Sequence, residues 1–313
     1  MTEPYSLHHL RLHAAGERLP AALAQALPVL SQTKLRQAVV AGLVQVAGEI
    51  ITDPTWTLPD NSVGVRVDLR QGLRAAKGRG SSVGPPFRIL YEDDHLLVLD
   101  KAAGILSAPF EQASHGHIPE LLRRHFRKHS RNLPYIGVVH RLDKETSGCL
   151  CVALDRRSQE LLNAQFAGGS AARHYRCLVL GQPKQDQDTL TARLGRGADG
   201  RRCVVRPEQA GKDAITHFQV MERYNQGAEL AVQLETGRTH QIRIHLAAIG
   251  CPVAGDAVYD RLIHKRIRGR PRAPRLMLHA ERLLLDHPRT GERLDIEAPL
   301  PQALTDFRRR LQG

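Results

Sequence analysis

"HRLDKETSGCL", residues His140 to Leu150, places one aspartate, Asp143, between Arg141 and Lys144 and then passes into an apolar run. Cys149 and Cys151 alternate with Leu150 and Val152, the two-residue period of a strand, so the stretch reads as a polar loop feeding a buried strand. The two cysteines are small core residues on one face of it. A lone carboxylate among cations is a poor general acid but a serviceable nucleophile or electrostatic stabiliser. Paired-carboxylate glycosidase chemistry needs a partner kept as an acid. Glu145, the close candidate, has basic and polar neighbours that give no reason for that. Ser147 and His140 could be written into a triad, but no G-x-S-x-G elbow exists. Taken alone, Asp143 reads equally well as a turn-forming aspartate.

The rest of the chain narrows these choices. Its 313 residues suffice for two domains, and 42% hydrophobic residues suffice for real cores. Forty-five Lys and Arg against 32 Asp and Glu give a net charge of +13, which points to an anionic partner, nucleic acid above all. No apolar run approaches the ~20 residues that span a bilayer, and "MTEPYSLHHL" does not read as a secretory leader. Five cysteines without a C-x-x-C pair suggest neither a disulfide framework nor a zinc site, and fit a reducing cytoplasm. Rossmann, P-loop and metal-spacing motifs are absent, so no motif points to a bound cofactor or metal.

Residues 71–86, "QGLRAAKGRGSSVGPP", have linker composition and divide a module over 1–70 from a domain over 87–313. In the module, Leu19, Leu23, Leu27 and Leu30 recur at helical spacing. Ser31 can N-cap a second helix through "QTKLRQAVVA", which Gly42 can end. "LVQV" and "EII" flank Ala47-Gly48 as a short hairpin. Lys34 and Arg36 on the second helix are candidate RNA contacts. In the larger domain, "FRILYEDDHLLVLDK" predicts two strands around Glu92-Asp93-Asp94, and "IGVVHRL" and "CLCVAL" two more. Asp155 can N-cap "RRSQELLNAQF", closed by Gly168-Gly169. "HYRCLVLG", "AITHFQVMERY" and "AELAVQLET" follow as strands. "TGRTHQIRIHLAAIG" then predicts a helix capped by Thr239, with Ile242, Leu246 and Ile249 on one face and Gly250 at its end. With no repeats and no strict βαβ alternation, the class is α+β: a mixed, largely antiparallel central sheet with flanking helices, preceded by a small α+β module. Two basic runs, Leu122 to Arg131 and Arg261 to Arg275, are candidates for phosphate contact.

Four stretches carry a family resemblance. "HRLDKETSG" resembles the catalytic H-R-L-D-x-x-T-S-G motif of RluA-type pseudouridine synthases, and "HYRCLVLG" their second motif, in which a tyrosine follows a basic residue. "TGRTHQIRIHLAAIGCPVAGDAVY" is similar to their T-G-R-T-H-Q-I-R-x-H-L and G-D-x-x-Y pattern, and "LMLHAERLLLDHP" to their closing segment. The four stand in family order. The module resembles the S-four RNA-binding module, an arrangement found in the subgroup acting on large-subunit ribosomal RNA. Pro20, Gln32 and "VQVAG" depart from its usual pattern, and "DKAAG" and "LSAPF" depart from the family's N-K-P-x-G and H-P stretches.

The resemblance implies a cofactor-free isomerase that detaches uracil, rotates it and rejoins it through carbon 5. It implies Asp143 as the catalytic residue, attacking either the anomeric sugar carbon or carbon 6 of the ring. Tyr175 would stack on the extruded base. Arg238 would pair with Asp143 and fill the vacated space, and Leu278 would form an apolar wall. Arg141, with His140 and Leu142, would shape the loop on the substrate side. Arg243 would either touch RNA phosphate or brace the sheet. The expected partner is RNA, ribosomal first and transfer RNA second, for a cytoplasmic monomer that contacts no membrane. A rival from another class is a non-catalytic RNA-binding or ribosome-assembly factor on the same scaffold.

Overall fold

The computed structural model describes residues 7–13, 15–40, 43–51, 53–59, 62–68, 85–109, 115–128, 135–260 and 271–312. The chain forms two compact units, Met1–Gly84 and Pro85–Gly313. The expected linker, apart from Pro85 and Pro86, lies outside the described residues, as do Gly42, the end of the first basic run and 261–270 of the second.

The first unit runs β1 (Leu7–Leu12), α1 (Leu19–Ala26), α2 (Gln32–Val40), β2 (Val44–Val46), β3 (Glu49–Ile51) and β4 (Val63–Asp68). Its antiparallel sheet has the order β1-β4-β2-β3. Leu19, Leu23, Leu27, Leu30, Leu35 and Val39 pack with Val44, Val46, Val65 and Val67 in one core, as the leucine spacing requires. The hairpin turns through Ala47 (φ 50°) and Gly48 (φ 88°), both left-handed, as a two-residue connection demands. The expected hairpin is present; its sheet neighbours β1 and β4 were not foreseen, although Val63, Val65 and Val67 alternate cleanly. Lys34 and Arg36 both fall in α2, and Arg36 is exposed.

The second unit continues with β5 (Phe87–Glu92), β6 (Leu96–Lys101), α3 (Ile118–Lys128), β7 (Gly137–Val138), β8 (Ser147–Ala153), α4 (Arg156–Gly168), β9 (Ala172–Leu180), β10 (Gln187–Arg196) and β11 (Arg202–Val204). It ends with β12 (Gly211–Tyr224), β13 (Gly227–Leu234), α5 (Gln241–Ala248), β14 (Leu278–Asp286), β15 (Arg293–Glu297) and α6 (Gln302–Gln312). One eleven-stranded sheet runs β11-β10-β12-β13-β9-β14-β8-β6-β5, with β15 on β14 and β7 on β8. Among the described strands of this sheet, β14 and β8 pair in parallel and the other pairs are antiparallel. Gly148 sits at that parallel pair, where a Cβ would come within 2.1 Å of the Ala280 carbonyl oxygen, so no larger residue fits.

Strand β8 is buried throughout. Leu150 and Val152 face a core shared with α3, α5 and α6, while Cys149, Cys151 and Ala153 face a second core under α4. Asp155 caps α4 as expected, its side chain accepting from the Ser158 amide at 2.9 Å, and Gly169 closes the helix at φ 80°. The basic run before Arg131 proves to be an amphipathic helix: Ile118, Leu122 and Phe126 of α3 enter the core while Arg123, Arg124, Arg127 and Lys128 stay exposed.

Two local expectations need correction. Thr239 does not cap α5; His240 takes the N-cap position in a left-handed conformation (φ 59°) without a capping side-chain bond. Ile242 and Leu246 are buried, but Ile249 lies past the helix and is 40% exposed. "IGVVHRL" contributes just the two-residue β7, because from Val139 onward the chain leaves the sheet to form the loop that carries Asp143.

Candidate active site

Asp143 stands between β7 and β8, and its loop is pinned from several sides. Buried Ser107 donates to the Leu142 carbonyl (2.8 Å) and accepts from the Leu142 amide (3.0 Å). Lys101, fully buried at the end of β6, points Nζ at the carbonyls of Ala102 (3.0 Å), Ile105 (2.9 Å) and Lys144 (3.2 Å). Burial pulls its pKa down to about 7, against the opposing pull of Glu145 and Asp143. His140 Nε2 accepts from the Cys151 amide (2.9 Å), so the ring proton sits on Nδ1, and the ring stacks on Phe166 at 4.3 Å. Burial, with Arg173 nearby, holds this imidazole neutral down to about 3. His140 was expected to shape the loop, whereas Lys101 was not foreseen as a support; the quoted "DKAAG" was the available signal.

The carboxylate of Asp143 is met by Arg243, not by Arg238. Arg243 Nη1 lies 3.1 Å from Asp143 Oδ2. Its other edge forms a two-pronged pair with buried Asp256, at 2.6 Å from Nε and 2.9 Å from Nη2. Asp256 also accepts the amides of Val258 and Tyr259 at 2.9 and 3.0 Å. Burial alone would raise the Asp256 pKa, but Arg243 and these amides outweigh it and hold it low. The Arg243 pKa is raised, with burial opposed by both carboxylates. Arg243 is therefore a brace rather than a phosphate contact: it is 7% exposed and committed at both edges. Arg238 precedes α5 and turns toward β12, its Nε donating to the Asp213 carbonyl at 3.0 Å. The expected Arg238–Asp143 pair is absent because Arg243, on the first turn of α5, already occupies that position.

A second contact reaches Asp143 from His240, whose Nε2 lies 3.9 Å from the same Oδ2. His240 Nδ1 is 2.9 Å from the Tyr259 hydroxyl. Burial lowers the His240 pKa against the pull of Asp143. Gln241 fixes the turn before α5: Oε1 accepts from Thr236 (2.7 Å) and the Arg238 amide (2.9 Å), and Nε2 donates to the Ile215 carbonyl and Thr216 hydroxyl, both at 2.9 Å. His240, Gln241 and Asp256 all fall inside the longest quoted motif, where residue type alone did not separate support from contact.

Asp143, Tyr175, Arg141, Arg238, Arg243 and Leu278 all line one cleft of about 1050 Å³. Tyr175 of β9 and Leu278 of β14 are buried in its wall, and burial pushes the Tyr175 phenol up to about 12. Arg141 and Arg238 are exposed. Seven Lys and Arg side chains line the cleft against the two acids Asp143 and Glu235, which suits a polyanion. Among the described residues, no His, Cys, Asp and Glu cluster could hold a metal ion.

Comparison with known proteins agrees with this arrangement. Residues 95–248 match the RNA pseudouridylate synthase family, and residues 17–63 match the S4 domain. The chain is 39% identical to ribosomal large subunit pseudouridine synthase D of Nitrosomonas europaea, over 92% of this chain and 82% of that one. This chain is a pseudouridine synthase of the RluA type. Its reaction class is that of an isomerase. The synthase is also 36% identical to the Pseudomonas aeruginosa protein of the same name, over 92% and 89% of the two chains. The solved structure of human RNA pseudouridylate synthase domain containing 4 shares its fold, with a TM-score of 0.58, 24% identity, and coverage of 71% of this chain and 92% of that one. No helix among the described residues is long and apolar enough to cross a membrane.

Proposed function

We propose that this synthase converts uridine to pseudouridine in large-subunit ribosomal RNA, with Asp143 as the nucleophile. The observation that carries the chemistry is the Arg243–Asp143 pair inside a cationic cleft that also holds Tyr175 and Leu278. Among the described residues, the Arg243 and His240 contacts to Asp143 both fall on Oδ2, which leaves Oδ1 for bond formation. An aspartate held this way needs no reorganisation before attack. In the reaction, the N1–C1′ bond breaks with its electron pair on the ring, Asp143 carries the sugar or the ring meanwhile, carbon 5 then bonds C1′, and the carbon 5 proton leaves. Tyr175 would stack on the base once it is turned out of its helix. Leu278 would pack beside it. Exposed Arg141 and Arg238 at the cleft would meet the RNA strand.

The names of the relatives support ribosomal RNA as the substrate, over most of their length. Residues 1–70 would serve as an RNA grip through Lys34 and Arg36, joined by 71–86 to the catalytic domain at 87–313. The working form in this reading is a cytoplasmic monomer. Pseudouridine mapping of ribosomal RNA from cells with and without the gene tests the substrate: specific uridines of the large-subunit RNA should lose the modification. Unchanged ribosomal maps with altered transfer RNA would overturn the assignment.

A further inference from the structure

The cations of the cleft differ in what occupies them. Arg243 is buried and carries two carboxylates, while Arg141, Lys144, Arg196 and Arg238 are exposed. Arg173 fits neither pattern. It lines the cleft at 8% exposure, its Nη2 donates to the Glu235 carbonyl at 3.0 Å, and its Nε is buried without a partner. Among the described residues no carboxylate pairs with it, and its guanidinium carbon lies 5.9 Å from the centre of the Phe166 ring. Gly237 makes room for it, since a Cβ there would meet Nη1 at 2.5 Å. A buried cation without a counter-charge is strongly unfavourable unless a ligand supplies one.

The position says which ligand group that is. Arg173 and Tyr175 are two apart on β9, so both point to the same face, separated by roughly 7 Å along the strand. A base stacked on Tyr175 would lie next to the guanidinium. Backbone phosphates carry permanent charge and stay near water, where the exposed arginines already stand. What arrives beside Arg173 is the ring, and the ring gains negative charge during the reaction. When N1–C1′ breaks, the pair is shared over N1, O2 and O4. If Asp143 adds at carbon 6 instead, the displaced pair moves to carbon 5 and O4.

Resting on the reading of the site above, we propose that Arg173 is a further catalytic residue, whose guanidinium stabilises the negative charge that develops on the flipped uracil ring. Such a donor, fixed in place and shielded from water, acts on the charge of the transition state more than on the neutral ground state.

The test compares Arg173→Met and Arg173→Lys with the wild type on an unmodified large-subunit ribosomal RNA transcript. A second transcript is made with 5-fluorouridine, whose electron-withdrawing fluorine stabilises the ring anion by itself. Single-turnover consumption of the target uridine or fluorouridine is read by nuclease digestion and mass spectrometry. The expected result for Arg173→Met is a loss in rate on the order of 10²-fold with little change in KM. Arg173→Lys, which keeps the charge and the fold, should lose less. Both deficits should shrink by roughly tenfold on the fluorinated RNA. A rise in KM at unchanged rate would make Arg173 a phosphate contact and overturn the proposal. Equal deficits on the two RNAs would make it structural, with the same consequence. Asp143→Asn in parallel keeps the two readings apart: turnover surviving in that variant removes the reading of the site, whatever Arg173 does.

Discussion

Two sides of one cleft hold arginines of nearly equal burial, Arg243 at 7% and Arg173 at 8%, and use them in opposite ways. On the Asp143 side, Arg243 is tied to Asp256 by two hydrogen bonds and to Asp143 by a third. On the Tyr175 side, Arg173 has one carbonyl acceptor and an unpaired Nε. The contrast teaches that burial alone does not assign a charged group its task. A cation with both edges occupied fixes geometry, while one left open marks where charge arrives.

The sharpest way to break the contrast is at its tied end. Arg243→Leu strands the buried Asp256 carboxylate and frees Asp143, so it should cost about 3–5 kcal/mol of stability together with most of the turnover. For a unit of this size that corresponds to a fall in Tm of roughly 10 °C, read by calorimetry. An unchanged Tm would show that the pair with Asp256 is not the brace inferred here.

Next in size is Lys101, a third buried cation, satisfied by carbonyls alone. Its folded pKa of about 7 lies below the ordinary lysine value of 10.5, so folding disfavours its charged form. The penalty is therefore full below about pH 7 and lifts as pH rises toward 10.5. Between roughly pH 7.5 and 8.5, wild-type stability should rise relative to Lys101→Met by about 1 kcal/mol. Denaturant titrations of both proteins check this, and a pH-independent difference would contradict it.

The smallest effect belongs to the exposed rim. Arg238→Ala should weaken RNA binding a few-fold and reduce the salt dependence of affinity by about one counterion, without moving Tm. A loss as large as that of Arg243→Leu would erase the distinction between rim and floor.

The sequence made much of this legible, and the limits follow a pattern. Alternation around Cys149 and Cys151 gave β8 with the cysteines on one core-facing side, and Asp155 with Gly169 gave both ends of α4, because these signals are local. Asp143, Tyr175, Arg238 and Leu278 were named from motifs and do share the cleft. Which arginine meets Asp143 was not legible. Arg238 and Arg243 lie five residues apart in one motif, and only the start of α5 at Gln241 decides which faces the carboxylate. The partners Asp256, Ser107 and Lys101 come from distant segments, so no local spacing could pair them with the loop.

The most direct test of the central claim is turnover and RNA affinity measured side by side for Asp143→Asn. This exchange keeps shape and removes the nucleophilic charge. The account predicts a loss of turnover on the order of 10⁴-fold or more, with affinity held within a few-fold. Turnover close to wild type would contradict it.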